Sequence, residues 1–239
     1  MDNRPICFFD SGIGGATVLK EVVKMLPNEG YIYYADSINN PYGEKSKEKL
    51  FDIVDSVVSS LLEYNPKIIV CACNTATAMV LNDIRNKYSD VLFIGTEPAI
   101  KVIYDKYKDK KAIVLTTKGT GESERFNELF DKYKTSKCEL VMASELAGLI
   151  ENNLDASSYL QGLLKDYTDC EVVVLGCTHF PLVKEEIKKI LGDVLFVDGS
   201  IGIANRINSL IKKSNGSGYI KVISSSDTTK NRILDIISK

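Results

Sequence analysis

Histidine is almost missing from this chain of 239 residues: His179 is the only one. A single imidazole excludes the H-x3–5-H half of a common zinc site. Long apolar runs are missing too, and none approaches the roughly 20 residues of a membrane-spanning helix. The opening stretch Met1-Asp2-Asn3-Arg4-Pro5 enters a short apolar strand with no apolar h-region, so no signal peptide is expected and the expected home is the cytoplasm. Charge of one sign is lacking as well. Lys and Arg number 30 against 32 Asp and Glu, a formal net charge of −2, which argues against nucleic acid or a membrane as partner. No G-x-x-x-x-G-K-[ST] and no full G-x-G-x-x-G occurs, which removes the two common nucleotide-binding loops. The length allows one or two domains, and no low-complexity tract interrupts it.

Cysteine, by contrast, occurs six times. In a chain of this size without an export signal, the thiols are expected to stay reduced. Cys7, Cys71, Cys138 and Cys170 read as buried packing residues. Cys71 points to the same strand face as Cys73, but deeper. Cys73 and Cys177 differ. Each ends a β-branched run, Ile68-Ile69-Val70-Cys71-Ala72-Cys73 and Val172-Val173-Val174-Leu175-Gly176-Cys177, and each is followed by a small polar residue and a helical pattern. Such a junction puts a thiol at the carboxyl edge of a parallel sheet, where open α/β folds bind ligands. It also offers free backbone N–H groups that attract carboxylates and favour thiolate. The two cysteines lie 104 positions apart, about one domain. Two similar lobes, each giving one thiol to a shared cleft, could take a proton from one face of a carbon and return one to the other. Thiols suit this because they titrate near ~8.5. A zinc site built from Cys71-x-Cys73 and Cys177-x-His179 does not fit the usual spacings, so no metal is expected. His179, two positions after Cys177, can exchange protons or support a thiolate.

The remainder reads as alternating strands and helices: an α/β fold of parallel sheets flanked by helices. Expected strands are Ile6–Phe9, Tyr31–Ala35, Ile68–Cys73, Val91–Ile94, Ala112–Thr116, Glu139–Met142, Glu171–Gly176, Val194–Val197 and Tyr219–Ser224. Expected helices include one with Val18, Val22 and Met25 on a common face, Ser46–Tyr64 with Ser46 as N-cap, Thr75–Tyr88, Pro98–Tyr107, Gly121–Tyr133, Leu146–Asn152, Ser157–Tyr167 and Ile201–Lys212. The strand–helix pattern returns after Val197. This predicts a discontinuous first lobe, residues 1–96 plus 199–239, and a second lobe of residues 97–198.

Further candidate groups stand at strand ends. Asp10-Ser11-Gly12-Ile13-Gly14-Gly15 follows the first strand, where Asp10 can hold an ammonium group, act on a proton, or merely cap a helix. Asn40-Pro41-Tyr42-Gly43 is a turn signature that would expose amides and a phenol to a ligand. Thr117 and Thr120 can cap a helix or contact a carboxylate.

These segments, with Cys73-Asn74-Thr75-Ala76-Thr77 and Gly176-Cys177-Thr178-His179-Phe180-Pro181-Leu182, occur in the order and spacing of a known family. The chain resembles the glutamate racemases of the aspartate/glutamate racemase superfamily over nearly its whole length. The resemblance implies two pseudo-symmetric α/β lobes with the active site in the cleft between them, no cofactor, a homodimer, and glutamate as small-molecule substrate, with D-glutamate supplied to peptidoglycan. It implies Cys73 and Cys177 as the acid/base pair, Asp10 assisting Cys73, and Glu151 and His179 assisting Cys177. Ser11, Tyr42, Gly43, Asn74, Thr75, Thr117, Thr120 and Thr178 would contact the amino acid. Glu145 competes with Glu151, because the stretch before Glu151 departs from the family's Pro-Leu-rich pattern. Gly121 stands where a larger apolar residue is usual. Two other readings remain at this point: a sister racemase acting on aspartate or another amino acid, and a non-catalytic amino-acid-binding protein.

Overall fold

Nine apolar runs become strands in a computed structural model that describes residues 1–239. In chain order they are β1 (Ile6–Asp10), β2 (Gly30–Ala35), β3 (Ile68–Cys71), β4 (Phe93–Gly95), β5 (Ala112–Thr116), β6 (Cys138–Met142), β7 (Val172–Leu175), β8 (Leu195–Val197) and β9 (Tyr219–Ser224). They form two sheets, ordered β4-β3-β1-β2-β9 and β6-β5-β7-β8, and every pairing is parallel. The central strands β1, β3, β5 and β7 are buried at every position. Unbroken apolar runs demand this, since a parallel sheet is covered on both faces.

The covering helices are α1 (Ala16–Met25), α2 (Lys47–Leu62), α3 (Asn74–Met79), α4 (Leu81–Lys87), α5 (Ile100–Lys106), α6 (Lys118–Gly121), α7 (Glu124–Tyr133), α8 (Leu146–Glu151), α9 (Ser157–Leu164), α10 (Lys184–Leu191), α11 (Ser200–Leu210) and α12 (Asp227–Ser238). Helices α2 to α4 pack one face of the first sheet through Leu50, Val54, Val58, Leu81 and Ile84. The opposite face does not close within its own lobe. Val18, Val22, Ile207 and Ile233 belong to one apolar cluster with Leu115, Ile150, Leu160 and Phe180 of the second lobe. The lobes are therefore packed together by a shared core as well as joined by chain crossings.

Several boundaries differ from the sequence expectation, each for a local reason. β3 ends at Cys71, and Cys73 becomes the N-cap of α3 with extended φ −67° and ψ 118°. The expected Thr75–Tyr88 helix breaks at Val80, where φ −132° and ψ −11° turn the chain; the turn lets Val80, Leu81 and Ile84 all enter the same core cluster. Gly121 ends one short helix, and Ser123 starts the next by accepting the Phe126 N–H at 3.2 Å. Ser157–Leu164 is α-helical, and the turn tightens to 3-10 geometry over Lys165–Tyr167. Met25 leaves the buried face of α1 and is 37% exposed. Ser46 does cap α2, accepting the Lys49 N–H at 3.3 Å.

The return of the chain to the first sheet is pinned by a buried ion pair. Glu29 and Lys67 pair with side chains only 2% exposed. Glu29 Oε1 also accepts the Ser214 N–H at 2.8 Å, and Lys67 Nζ donates to the Asp2 carbonyl at 2.8 Å. The pair sits at the amino ends of β2 and β3 and fixes where the chain enters β9. Replacing Lys67 by Met leaves the Glu29 carboxylate buried without its cation, an omission that costs about 3–5 kcal/mol. Urea denaturation of Lys67→Met is expected to show that loss, and a change below about 1 kcal/mol would place the pair among weak surface bridges.

Candidate active site

Both singled-out thiols sit at the carboxyl edges of their sheets, one past β3 and one past β7. Cys73 is 5% and Cys177 7% exposed, and all six cysteines are free. Asp10, Thr178, His179 and Glu151 are joined beside Cys177 by hydrogen bonds, and Thr75, Thr117 and Thr120 form a second group.

The Asp10–Gly15 loop supplies the floor. Asp10 is fully buried; its Oδ2 accepts the N–H groups of Gly12 at 3.2 Å and Gly15 at 3.1 Å, and its Oδ1 accepts the Thr178 hydroxyl at 3.2 Å. Burial raises its pKa, against the pull of the His179 charge and the two N–H groups. The glycines are there for closeness. A Cβ on Gly12 would fall 2.2 Å from the Glu151 carboxylate, and one on Gly14 would fall 2.5 Å from His179 Nδ1 and 2.6 Å from Thr178 Oγ1. Ser11 is buried beside them and holds the Asn40 amide through its carbonyl at 3.2 Å and its hydroxyl at 3.3 Å.

A hydrogen-bonded chain runs up to Cys177. His179 Nδ1 lies 3.8 Å from the Cys177 sulfur, and its Nε2 lies 2.8 Å from Glu151 Oε2. Glu151 also accepts the Ile13 N–H at 2.9 Å and the Ser37 hydroxyl at 3.4 Å. Burial by itself would push His179 down; its bonds to Cys177 and Glu151, with their charges and that of Asp10, outweigh this and hold it up at about 10. Burial would likewise push Glu151 up, but the bond and charge of His179, the Ile13 N–H and Arg232 leave it below its ordinary value. An imidazolium–carboxylate pair thus stands behind one thiol. Glu145, the competing carboxylate, is exposed at the start of α8 and away from this chain.

Cys73 has different surroundings. Burial first, then the negative charge of Asp10, raises its pKa well above the ordinary thiol value, against one helix amide. It holds its proton in this closed arrangement. Cys71, deeper in the same core, is pushed up to about 12 by burial and donates to the Cys73 carbonyl.

Hydroxyls close the cleft from the sides. Thr75 Oγ1 meets Thr117 Oγ1 at 2.9 Å and Thr120 Oγ1 at 3.3 Å, a direct bridge between the lobes. Thr117 also caps α6. Gly43 lies against Thr117, where a Cβ would be 3.2 Å from the Thr117 Cβ. The Asn74 amide donates to the Thr96 carbonyl at 3.1 Å. Tyr42 departs from expectation: its phenol is buried and donates to Asp36 Oδ2 at 2.7 Å. A buried hydroxyl needs an acceptor, and Asp36 supplies one. Gly121 leaves room that Thr116 fills, since a Cβ there would lie 2.9 Å from Thr116 Oγ1.

Three participants were not singled out in the sequence. Asp36 follows β2 at the same sheet edge as Asp10, so its strand-end position was a usable signal. Thr17, which donates to the Thr178 carbonyl at 3.1 Å, and Arg232, which donates to the carbonyls of Ile150 and Glu151, carry no local mark.

Two free thiols lie past the carboxyl ends of two parallel sheets, and one of them has a histidine and a carboxylate beside it, an arrangement compatible with acid/base chemistry. A sequence profile described as Asp/Glu/Hydantoin racemase matches residues 15–204. The chain belongs to this family, and it is an isomerase of the amino-acid racemase class. It is 40% identical to the glutamate racemase of Clostridium novyi over 245 residues, spanning 96% of this chain and 94% of that one. Among solved structures, it is similar to Escherichia coli glutamate racemase in complex with L-glutamate and the activator UDP-MurNAc-ala, with a TM-score of 0.84, 30% identity, and coverage of 98% of this chain and 94% of that one. It is similar also to Francisella tularensis glutamate racemase in complex with D-glutamate, with a TM-score of 0.81, 25% identity, and coverage of 100% and 95%.

Two outcomes follow from this geometry. Gly14→Ala forces a methyl into the His179 ring, an overpacking that costs about 1–3 kcal/mol and moves the ring off Cys177; denaturant melts and activity should fall together, and an unaltered variant would show that the ring has room to move. His179 is raised in the fold, so its stabilisation is complete below its unfolded value of about 6.5 and is lost as pH climbs through about 10. The stability gap between wild type and His179→Gln should therefore narrow across that window, and a gap constant with pH would mean a neutral ring.

Proposed function

We propose that this chain interconverts L- and D-glutamate by proton transfer between two thiols, without a cofactor, and so supplies D-glutamate for peptidoglycan. The observation that carries the reading is the placement of two buried, unbonded cysteines at the carboxyl edges of two parallel sheets, one of them 3.8 Å from the Nδ1 of a histidine held by a carboxylate. Glutamate as substrate is taken from the relatives, whose names and bound ligands are glutamate racemase and glutamate.

Racemisation needs a base on one face of the α-carbon and an acid on the other. Cys73, kept protonated by burial and by Asp10, serves as the acid for one direction. Cys177 serves as the base, with the cationic His179 ring favouring its thiolate and Glu151 holding the ring. In the reverse direction the roles exchange. An α-carbanion is a poor species in water, so fixed donors around the substrate carboxylate carry much of its stabilisation. Asn74, Thr75, Thr117, Thr120 and Thr178 are the donors in this reading, and Ser11, Gly43 and the Tyr42 backbone complete the contacts to the amino acid. The Thr75–Thr117 bridge would give way to substrate, so the first lobe (1–96 plus 199–239) and the second (97–198) part to admit it. The working unit is a homodimer in this reading.

A cofactor-free assay across L-Glu, L-Asp and L-Ala tests substrate and chemistry together. Time-dependent loss of optical rotation is expected for glutamate, and loss with aspartate alone would reassign the substrate. Cys73→Ala and Cys177→Ala should each lower the rate at least ~100-fold, the usual worth of a positioned acid or base. In D2O, product should carry α-deuterium from the first turnover while remaining substrate stays largely protiated. Near wild-type racemisation by Cys177→Ala would end the two-thiol reading.

A further inference from the structure

Glu151 is the last residue of α8, a helix of six residues. Helix ends leave their final carbonyls without intrahelical partners and fray readily. Asn153, at φ 54°, turns the chain away at once. A terminal residue is a poor place for a carboxylate that must hold an imidazole at 2.8 Å. The end of α8 is therefore held from outside. Arg232, in α12 at the far end of the sequence, donates from one guanidinium nitrogen to the Ile150 carbonyl at 2.8 Å and from the other to the Glu151 carbonyl. Two N–H groups of one rigid fork meet two successive carbonyls, a match that a lysine cannot reproduce. The cation also stands at the negative end of the helix, and its charge helps keep Glu151 anionic.

The helix carrying Arg232 is fixed in turn. Ile233 beside it is fully buried in the shared core, and α12 packs on α1 and β9. Helix α1 follows the loop whose Ile13 N–H binds the same Glu151 carboxylate. The first lobe thus grips Glu151 twice, by its backbone through Arg232 and by its side chain through Ile13.

We propose that Arg232 is a positioning residue for Cys177: by clasping the last two carbonyls of α8 it fixes Glu151, which orients the His179 ring against the thiol. The assignment rests on the two-thiol reading above. The guanidinium touches no reacting atom; it acts through Glu151 and His179.

The lone histidine makes the test direct, because a histidine-labelled sample gives one imidazole signal set by NMR. In the wild-type enzyme the Nε2 proton bonded to Glu151 should appear as a deshielded, slowly exchanging resonance. In Arg232→Met that resonance should broaden or vanish, and kcat/KM for glutamate should fall by about 10- to 100-fold, the cost of misplacing a reacting group by an ångström. The α-deuterium isotope effect should rise for the enantiomer that Cys177 deprotonates and not for the other, which a general loss of stability would not produce. Arg232→Lys, with one compact donor, should fall between, and it decides the matter by the same readouts if Arg232→Met does not fold. A folded variant with the His179 signal, rate and isotope effects of the wild type overturns the proposal. Cys177→Ala measured alongside separates the two readings: if it still racemises glutamate, the two-thiol mechanism fails, and the His179 signal in the Arg232 variants still decides the positioning role.

Discussion

The Glu151 carboxylate is the interaction on which the site depends. It is nearly buried, with its side chain 8% exposed, and a carboxylate can remain charged there only with several donors. The Ile13 N–H and the Ser37 hydroxyl come from the first lobe, and His179 comes from the second. Gly12 is stripped of a side chain to let that carboxylate approach. Because the same group serves both lobes, the closed arrangement and the charge on His179 are set together. Loosening the closure exposes the carboxylate to water and weakens its hold on the ring.

The two thiols have corresponding positions but unlike electrostatics. Cys73 is surrounded by burial and negative charge, which keep a proton on sulfur. Cys177 has a cationic ring 3.8 Å away. Asp10 connects the two environments: its charge raises the Cys73 thiol and also the imidazole, and its Oδ1 accepts from Thr178 next to Cys177. An equilibrium between mirror-image amino acids is symmetric, but the enzyme that reaches it need not be. The asymmetry here comes from which charged neighbours each sheet edge receives.

Strand-end chemistry was the readable layer of the sequence. A β-branched run followed by Cys-Asn-Thr or Cys-Thr-His marks a strand, an edge and a reactive group within ten residues, so Cys73, Cys177, His179, Asp10 and the threonines could be named before any coordinates. The glycine loop was legible as a tight turn, but the side chains that Gly12 and Gly14 avoid belong to residues more than a hundred positions away. Sequence separation hid Arg232 too, 81 positions from Glu151. Tyr42 was misread in its local role because turn chemistry says that a phenol is exposed, while the loop folds back so that the buried Asp36, six positions earlier, accepts its hydroxyl. The break at Val80 was hidden because the apolar periodicity continues across it; the turn is chosen by how Leu81 and Ile84 pack, not by a helix breaker.

The placement of β9 has a consequence for how the molecule is made. Its partner β2 is translated nearly two hundred residues earlier, so as the chain leaves the ribosome the first sheet stays open along β2 while the whole second lobe is synthesised. An unpaired strand edge is a template for wrong partners. The nascent chain must protect that edge until its final strand arrives, and the ion pair at its amino end gains its Ser214 bond only then. A polypeptide without β9 and α12 has both cysteines but lacks the strand that covers β2 and the Arg232 that holds the end of α8.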